Sequence, residues 1–313
     1  MIDTPVLFLV FNRPDTTAQV FEAIRTAKPR QLFIAADGPR PGRADDVEKC
    51  RKVREVALQV DWDCKVKTLF REDNLGCGRA VSEAITWFFD QVEWGIILED
   101  DTLPSPSFFT FCQTLLTHYQ HDERVMHIGG TNVLGRQFFS SHSYYFSHYP
   151  GIWGWASWAR AWRSYRLEPD DQLQLKQLLG SAGMNFTEKE IAYWTRCLAE
   201  ITANPNHTWD YQWYFTVWQR SGICITAGTN LVSNIGFGAD ATHTHNAEWD
   251  IANLRRFEAA FPLKHPRKAE VQRKHDYRTF TRAHDIPTTF ANKLRNLSYK
   301  IIPYETRKRF LNI

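Results

Sequence analysis

The sequence has no apolar run near the ~20 residues that cross a bilayer, so no helical membrane span is expected. Its start, Met1-Ile2-Asp3-Thr4-Pro5, lacks the basic stretch, long apolar run and cleavage site of a secretion signal. The six cysteines, at 50, 64, 77, 112, 197 and 224, form no Cys-x-x-Cys pair. That speaks against a zinc site or a disulfide framework and for reduced thiols in a cytoplasmic protein. There is also no internal repeat and no low-complexity segment.

What is present is an ordinary soluble composition of 313 residues, 43% hydrophobic and 23% charged, enough for one large domain or two small ones. The net charge of +3 hides an asymmetry. Residues 251–313 carry 15 Lys+Arg against 5 Asp+Glu, a net of +10, which leaves −7 on the preceding 250. A basic tail on an acidic body either meets something anionic or packs on the body itself.

Along the chain, short apolar runs alternate with helical patterns. Pro5 to Phe11 reads as a buried first strand, ended by the turn Asn12-Arg13-Pro14-Asp15, with Asp15 or Thr16 as the cap of the next helix. Gln31 to Ala36 is a second strand, closed by Asp37-Gly38-Pro39; 44–60 is helical; Cys64 to Phe70 is a third strand. Asn74-Leu75-Gly76-Cys77-Gly78 opens a helix with Val81, Ile85 and Phe88 on one face, and Trp94 to Leu98 is a fourth strand. Strand and helix alternating four times predict an α/β fold, a mostly parallel, Rossmann-like sheet covered by helices. In such sheets ligands bind outside the carboxyl ends of the strands, where Asp37, Asn74 to Gly76, and the acids after strand four all fall.

Those acids, Glu99-Asp100-Asp101, are the most informative feature. They end an internal strand, and Thr102-Leu103-Pro104-Ser105-Pro106 breaks the chain after them. Uncompensated carboxylates there would cost several kcal/mol. A divalent cation with a bound phosphate would explain them, and hard oxygen ligands suit Mg²⁺ or Mn²⁺; the plainer alternative is a solvated acidic loop. Further on, eight of the 12 Trp lie between Trp153 and Trp218.

Together the opening strand, Ala36-Asp37-Gly38, Asn74-Leu75-Gly76 and the strand ending in Glu99-Asp100-Asp101 resemble nucleotide-sugar glycosyltransferases of the GT-A type. The resemblance is to the N-acetylglucosaminyltransferase I group and its bacterial relatives, in which the metal motif is Glu-Asp-Asp. It is specific over about residues 5–110, weaker to 245, and absent from the tail. It implies a donor-binding half, 1–110, an aromatic-rich acceptor half of the same globule, 111–250, and a basic helical tail, 251–313.

The resemblance implies a metal-dependent, inverting transfer from a UDP-sugar to a glycan or lipid-linked acceptor, with Mn²⁺ or Mg²⁺ as cofactor. Asp37 would contact the base, and Asn12 and Arg13 the nucleotide. Arg71 and Asn74 would line the ribose and diphosphate. Gly76 would permit close backbone approach, beside a helix N-terminus able to meet anions. Asp101 would bind the metal, Asp100 the ribose or a metal-bound water, and Glu99 the ribose or sugar. The family's catalytic Asp lies between aromatics about a hundred residues after the metal acids; Trp209-Asp210-Tyr211 matches, with one acid where the family has two. Asp210 is therefore the expected base, and a helix-cap Asp at the start of 211–220 is the alternative.

Trp153 and Trp155, in Gly151-Ile152-Trp153-Gly154-Trp155, are candidates for stacking on sugar rings, although most of the indoles here are expected to build core. His243, ahead of His245, is the candidate late histidine on the metal. In the tail, Leu294, Leu297 and Ile301 share a helical face near Lys293, Arg295 and Lys300, so peripheral contact with the inner membrane face is one option and packing on the domain the other. No nucleic-acid partner is expected. Two other readings stay open: a sugar-nucleotide nucleotidyltransferase, which would need a Gly-rich, Lys/Arg-bearing loop after strand one, and a non-catalytic nucleotide- or carbohydrate-binding protein.

Overall fold

Five consecutive apolar residues with no polar alternation, Val6–Val10, form strand β1, buried along its whole length. Val6, Phe8 and Val10 point into one core and Leu7 and Leu9 into a second on the other face. A strand apolar on both faces needs helices on both. The computed structural model, which describes residues 1–135, 141–169, 177–181, 183–237, 251 and 253–284, supplies them.

After β1 come α1 (Pro14–Ala27), β2 (Gln31–Ala36), α2 (Ala44–Ala57), β3 (Lys65–Phe70), α3 (Cys77–Phe89) and β4 (Trp94–Glu99). There follow β5 (Thr102–Pro104), α4 (Pro106–His118), β6 (Val125–Gly129), β7 (Tyr144–Ser147), β8 (Trp155–Trp158) and α5 (Ala159–Trp162). The remainder is α6 (Glu188–Ala203), a 3-10 turn at Pro205–His207, α7 (Asp210–Gln219), β9 (Ile223–Ala227), β10 (Val232–Asn234) and α8 (Arg273–Ala283). Helices α1, α2 and α4 contribute to the first core, and α3, α5, α6 and α7 to the second.

The expected α/β, Rossmann-like sheet is what forms. It has eight strands in the order β3-β2-β1-β4-β8-β6-β9-β7. Strands β3, β2, β1 and β4 are parallel, β6 and β9 are parallel to each other, and β8 and β7 run against their neighbours. Register decides where the site lies. Val10 pairs with Ala36, Ala36 with Phe70, and Leu9 with Glu99. The next residues in each chain segment, Phe11, Asp37, Arg71 and Asp100, therefore leave the sheet side by side.

Two local expectations are corrected. Neither Asp15 nor Thr16 caps α1; the N-cap is Arg13, Pro14 opens the helix, and the hydroxyls of Thr16 and Thr17 donate back to the Arg13 carbonyl. The small antiparallel sheet of β10 and β5 lies outside the expected strand–helix alternation; it brings Asn234 and Ile235 onto the acid triplet.

The described part of the basic tail packs along the body. Phe257 N–H donates to the Asn230 carbonyl and Gln272 N–H to that of Phe146. Asp276 on α8, fully buried, accepts from Ser147 Oγ at 2.6 Å and lies 3.0 Å from His148 Nδ1. The face built on Leu294, Leu297 and Ile301 lies outside the described residues. Among the described residues no helix is long and apolar enough to cross a membrane.

Candidate functional site

A cavity of about 880 Å³ opens at the carboxyl ends of β1, β2 and β4. Glu99, Asp100 and Asp101 line it, and so does Asp210 from a separate helix. Asp100, 7% exposed, accepts the Phe11 N–H through Oδ2 at 3.0 Å. Arg13 Nη1 donates to Asp101 Oδ2 at 2.5 Å and lies 3.9 Å from Asp100 Oδ1. Thr102 pins the strand end: its Oγ1 accepts from Glu99 N–H at 2.9 Å and donates to the Glu99 carbonyl at 3.0 Å. Ile235 N–H donates to the Asp101 carbonyl at 2.8 Å.

The electrostatics follow from burial. Loss of water pushes all three carboxyls above their usual range, and their mutual repulsion adds to it for Glu99 and Asp100. Asp210 also repels Glu99. Arg13 opposes these effects; burial works against its own charge, but Asp100 and Asp101 outweigh that and raise it. The raised values favour the neutral acids, Asp100 reaching about 7, while Arg13 favours their ionised forms. Among the described residues no three His, Cys, Asp or Glu side chains group so as to hold a metal ion, and Cys77, His207 and His284 line the same cavity, so the expected Mg²⁺ or Mn²⁺ is not assigned by this geometry.

At the end of β2, Asp37 lines the cavity but is already engaged. Its carboxylate accepts from Asn74 Nδ2 at 2.9 Å, from Leu75 N–H at 3.0 Å and from Gly76 N–H at 3.2 Å. Burial raises its pKa, and those amides pull the other way. Asp37 thus ties the turn before α3 to the sheet, whatever else it meets. Gly76 needs to be glycine, since its φ is +81° and a Cβ would come within 2.8 Å of Asn206 Nδ2.

The anion site expected at the start of α3 is corrected: the side chain of Asn206 fills it. Asn206 Oδ1 accepts the Arg79 N–H at 2.7 Å, and its Nδ2 donates to the Leu75 carbonyl at 2.8 Å. The close approach that Gly76 and Gly78 allow is that of the Pro205–His207 turn.

The remaining candidates divide. Arg71, Asn74 and Trp153 line the cavity. Asn12 does not; it turns away and donates to Asp46 Oδ1 at 2.7 Å, a carboxylate also held by Arg40. Trp155 is corrected from a sugar platform to core. It is fully buried, stacked between His127 and Trp209 at centroid distances of 5.0 and 5.7 Å, and has no face for a ligand. Asp210 is the first residue of α7 and not its cap, which is Trp209, and it lines the cavity; Thr208 Oγ1 and Tyr211 N–H donate to its Oδ1. His243 lies outside the described residues.

Reasoning from sequence missed Asn206, Thr208, Tyr193 and Arg40. Arg40 and Tyr193 also line the cavity. A signal existed for Arg40, a lone cation in the turn after Asp37. None existed for Asn206, whose partners are more than 120 residues away.

No known protein-family model matches this sequence, and no curated protein matches it. Among solved structures it is similar to a UDP-glucose pyrophosphorylase complexed with UDP-glucose, with TM-score 0.38 and 9% identity over 74% of this chain and 93% of that one. It is also similar to HddC from Yersinia pseudotuberculosis, with TM-score 0.32, 12% identity, and coverage of 52% and 80%. HddC complexed with GMP-PN gives TM-score 0.31 and 13% identity. Scores this low assign neither an activity nor a ligand to this chain.

Proposed function

We propose that this protein is a metal-dependent glycosyltransferase that uses a UDP-sugar. The observation that carries the proposal is the presence, in the lining of one cavity, of an acid triplet at a strand end and a carboxylate, Asp210, from a separate helix. A triplet alone could serve many purposes. A second carboxylate lining a space large enough for a nucleotide-sugar and an acceptor suits group transfer.

In this reading Asp101 would hold Mn²⁺ or Mg²⁺, with Asp100 on the ribose or a metal-bound water, and the ion would supply Lewis acidity toward the diphosphate. Glu99 faces the donor sugar, Arg13 and Arg71 the phosphates, and Asp37 with Asn74 the nucleoside end. Asp210 accepts the proton of the acceptor hydroxyl as its oxygen attacks the anomeric carbon, which places attack and departure on opposite faces of the sugar. Trp153 offers the acceptor ring a partly exposed indole.

One observation favours a second reading. Arg13 lies in the loop directly after β1 and reaches the acids. A nucleotidyltransferase needs a cation in that position, although here the loop lacks glycine. The two reactions release different products, UDP from a UDP-sugar or pyrophosphate from UTP and a sugar 1-phosphate.

The test is a thermal-shift panel of UDP, GDP, CDP and dTDP, each with and without Mn²⁺, followed by product detection. A ligand that binds only the folded state raises the melting temperature by mass action. A UDP shift that needs Mn²⁺, with UDP released from a UDP-sugar, is expected. Pyrophosphate release would install the second reading, and a flat panel would remove both.

A further inference from the structure

Helix α8 belongs to the basic segment that follows the acidic body, yet Thr279, Ala283 and its C-cap, His284, line the cavity. Buried chemistry holds the helix there. Asp276 accepts the His148 N–H at 3.1 Å as well as the Ser147 hydroxyl, and Arg273 Nη2 donates to the fully buried Glu190 at 2.8 Å. One turn further on, Phe280 is buried in the second core, edge-on to Tyr193 at 5.6 Å. The helix is therefore built into the body and does not merely lie against it.

His284 sits among rings. Its centroid is 5.1 Å from that of Trp194, 5.2 Å from Tyr193 and 6.2 Å from Tyr214, and its Nδ1 is 3.3 Å from Tyr193 Oη. Tyr193 and Tyr214 line the cavity as well. Burial raises the pKa of both phenols and the charge of nearby Asp210 adds to it, so the base candidate and these rings are neighbours. Burial also lowers His284 to about 4, which leaves its ring neutral at neutral pH. A neutral imidazole has one N–H and one bare nitrogen. Whichever of them meets Tyr193, Nε2 takes the other role, and among the described residues it has no hydrogen-bond partner. A hydroxyl, which both donates and accepts, suits Nε2 in either tautomer. Aromatic faces beside it suit the apolar C–H face of a sugar ring.

We propose that α8 completes the acceptor subsite of the cavity, and that His284, with Tyr193 and Tyr214, binds the hydroxylated ring of the second substrate beside Asp210. This rests on the transferase reading above and deepens it: the basic segment contributes to the choice of acceptor.

The experiment is saturation-transfer NMR on the full chain with the methyl glycosides of glucose, galactose, mannose and N-acetylglucosamine, each with saturating UDP. At least one glycoside should receive saturation at its ring protons. Its Kd should rise about three- to tenfold in His284→Phe, which keeps a ring and loses the polar nitrogens, and return toward wild type in His284→Gln, which restores a donor and an acceptor. UDP, read at its uracil protons, should bind all three proteins within about twofold. Unchanged glycoside affinity in His284→Phe would overturn the assignment, as would the absence of saturation on every glycoside. Equal losses of glycoside and UDP binding would overturn it too, because α8 would then shape the whole cavity and not this subsite. Failure of wild type to bind UDP would instead remove the transferase reading, and it is read from separate signals in the same spectra. His284→Leu provides the same test should the Phe variant fail to fold.

Discussion

Asn206 caps the N-terminus of α3 from outside the helix, accepting the Arg79 N–H at 2.7 Å. Its amide also donates to the Leu75 carbonyl, so one side chain joins the turn beside Asp37 to the turn that leads into Asp210. The contact thereby ties together the two segments that carry Asp37 and Asp210.

Removing that contact should cost stability before it costs chemistry. Asn206→Ala is expected to lower unfolding free energy by about 1 kcal/mol, the usual value of a helix cap. Gly76→Ala should cost more, because it strains a positive φ and crowds Asn206. Urea denaturation measures both, and an unchanged midpoint in Asn206→Ala would show that the contact is not maintained in solution.

The two tryptophans of Trp153-Gly154-Trp155 should behave as different kinds of residue. Trp155→Ala opens a cavity in the core and should cost about 3–5 kcal/mol. Trp153, half-buried in the cavity lining and meeting Phe237 edge-on at 5.6 Å, should lose little stability as Ala while weakening acceptor use. Equal melting temperatures for the two variants would contradict this division.

These residues show what could be read before folding. The buried runs of β1, β2 and β4 have no polar alternation, so their ends, and the acids beyond them, are marked in the sequence itself. Trp153 and Trp155 are two apart and look equivalent, but β8 begins at Trp155, so only the second is fixed in the sheet. Asn12 sits at the right strand end yet finds Asp46 on α2, and nothing local in the sequence announces that partner. The glycines at 76 and 78 suggested room for phosphate, whereas the room is taken by a turn 130 residues later. Strand ends are local facts; which side chain fills the space beside them is a long-range one.

The triplet and Asp210 should separate under mutation. Asp101→Asn should abolish the Mn²⁺-dependent stabilisation by UDP. Asp210→Asn should retain it while turnover falls by ~10²- to 10⁴-fold, the range for loss of a general base. Loss of UDP binding in Asp210→Asn would place that residue on the donor instead.

His127 makes stability depend on pH independently of the site. It is fully buried; the Trp213 indole N–H donates to its Nδ1 at 3.2 Å, and its Nε2 lies 3.1 Å from the Gly151 carbonyl. An indole can only donate, so Nδ1 must be bare and Nε2 must carry the proton, which describes a neutral ring. Protonation would set an N–H against the Trp213 N–H, and burial already pushes the pKa from 6.5 down to about 3. Between those values the unfolded chain binds a proton that the folded one refuses, so stability falls as pH drops below about 6.5 and stops falling on this account only near 3. From pH 6.5 to pH 5 the loss from this one ring should be about 1.5 kcal/mol, a figure set almost wholly by the unfolded value. Urea midpoints of wild type and His127→Gln at the two pH values isolate it: the variant, though less stable at pH 7, should lose about 1.5 kcal/mol less over that interval. Parallel losses in the two proteins would mean that the folded state accommodates the charged ring.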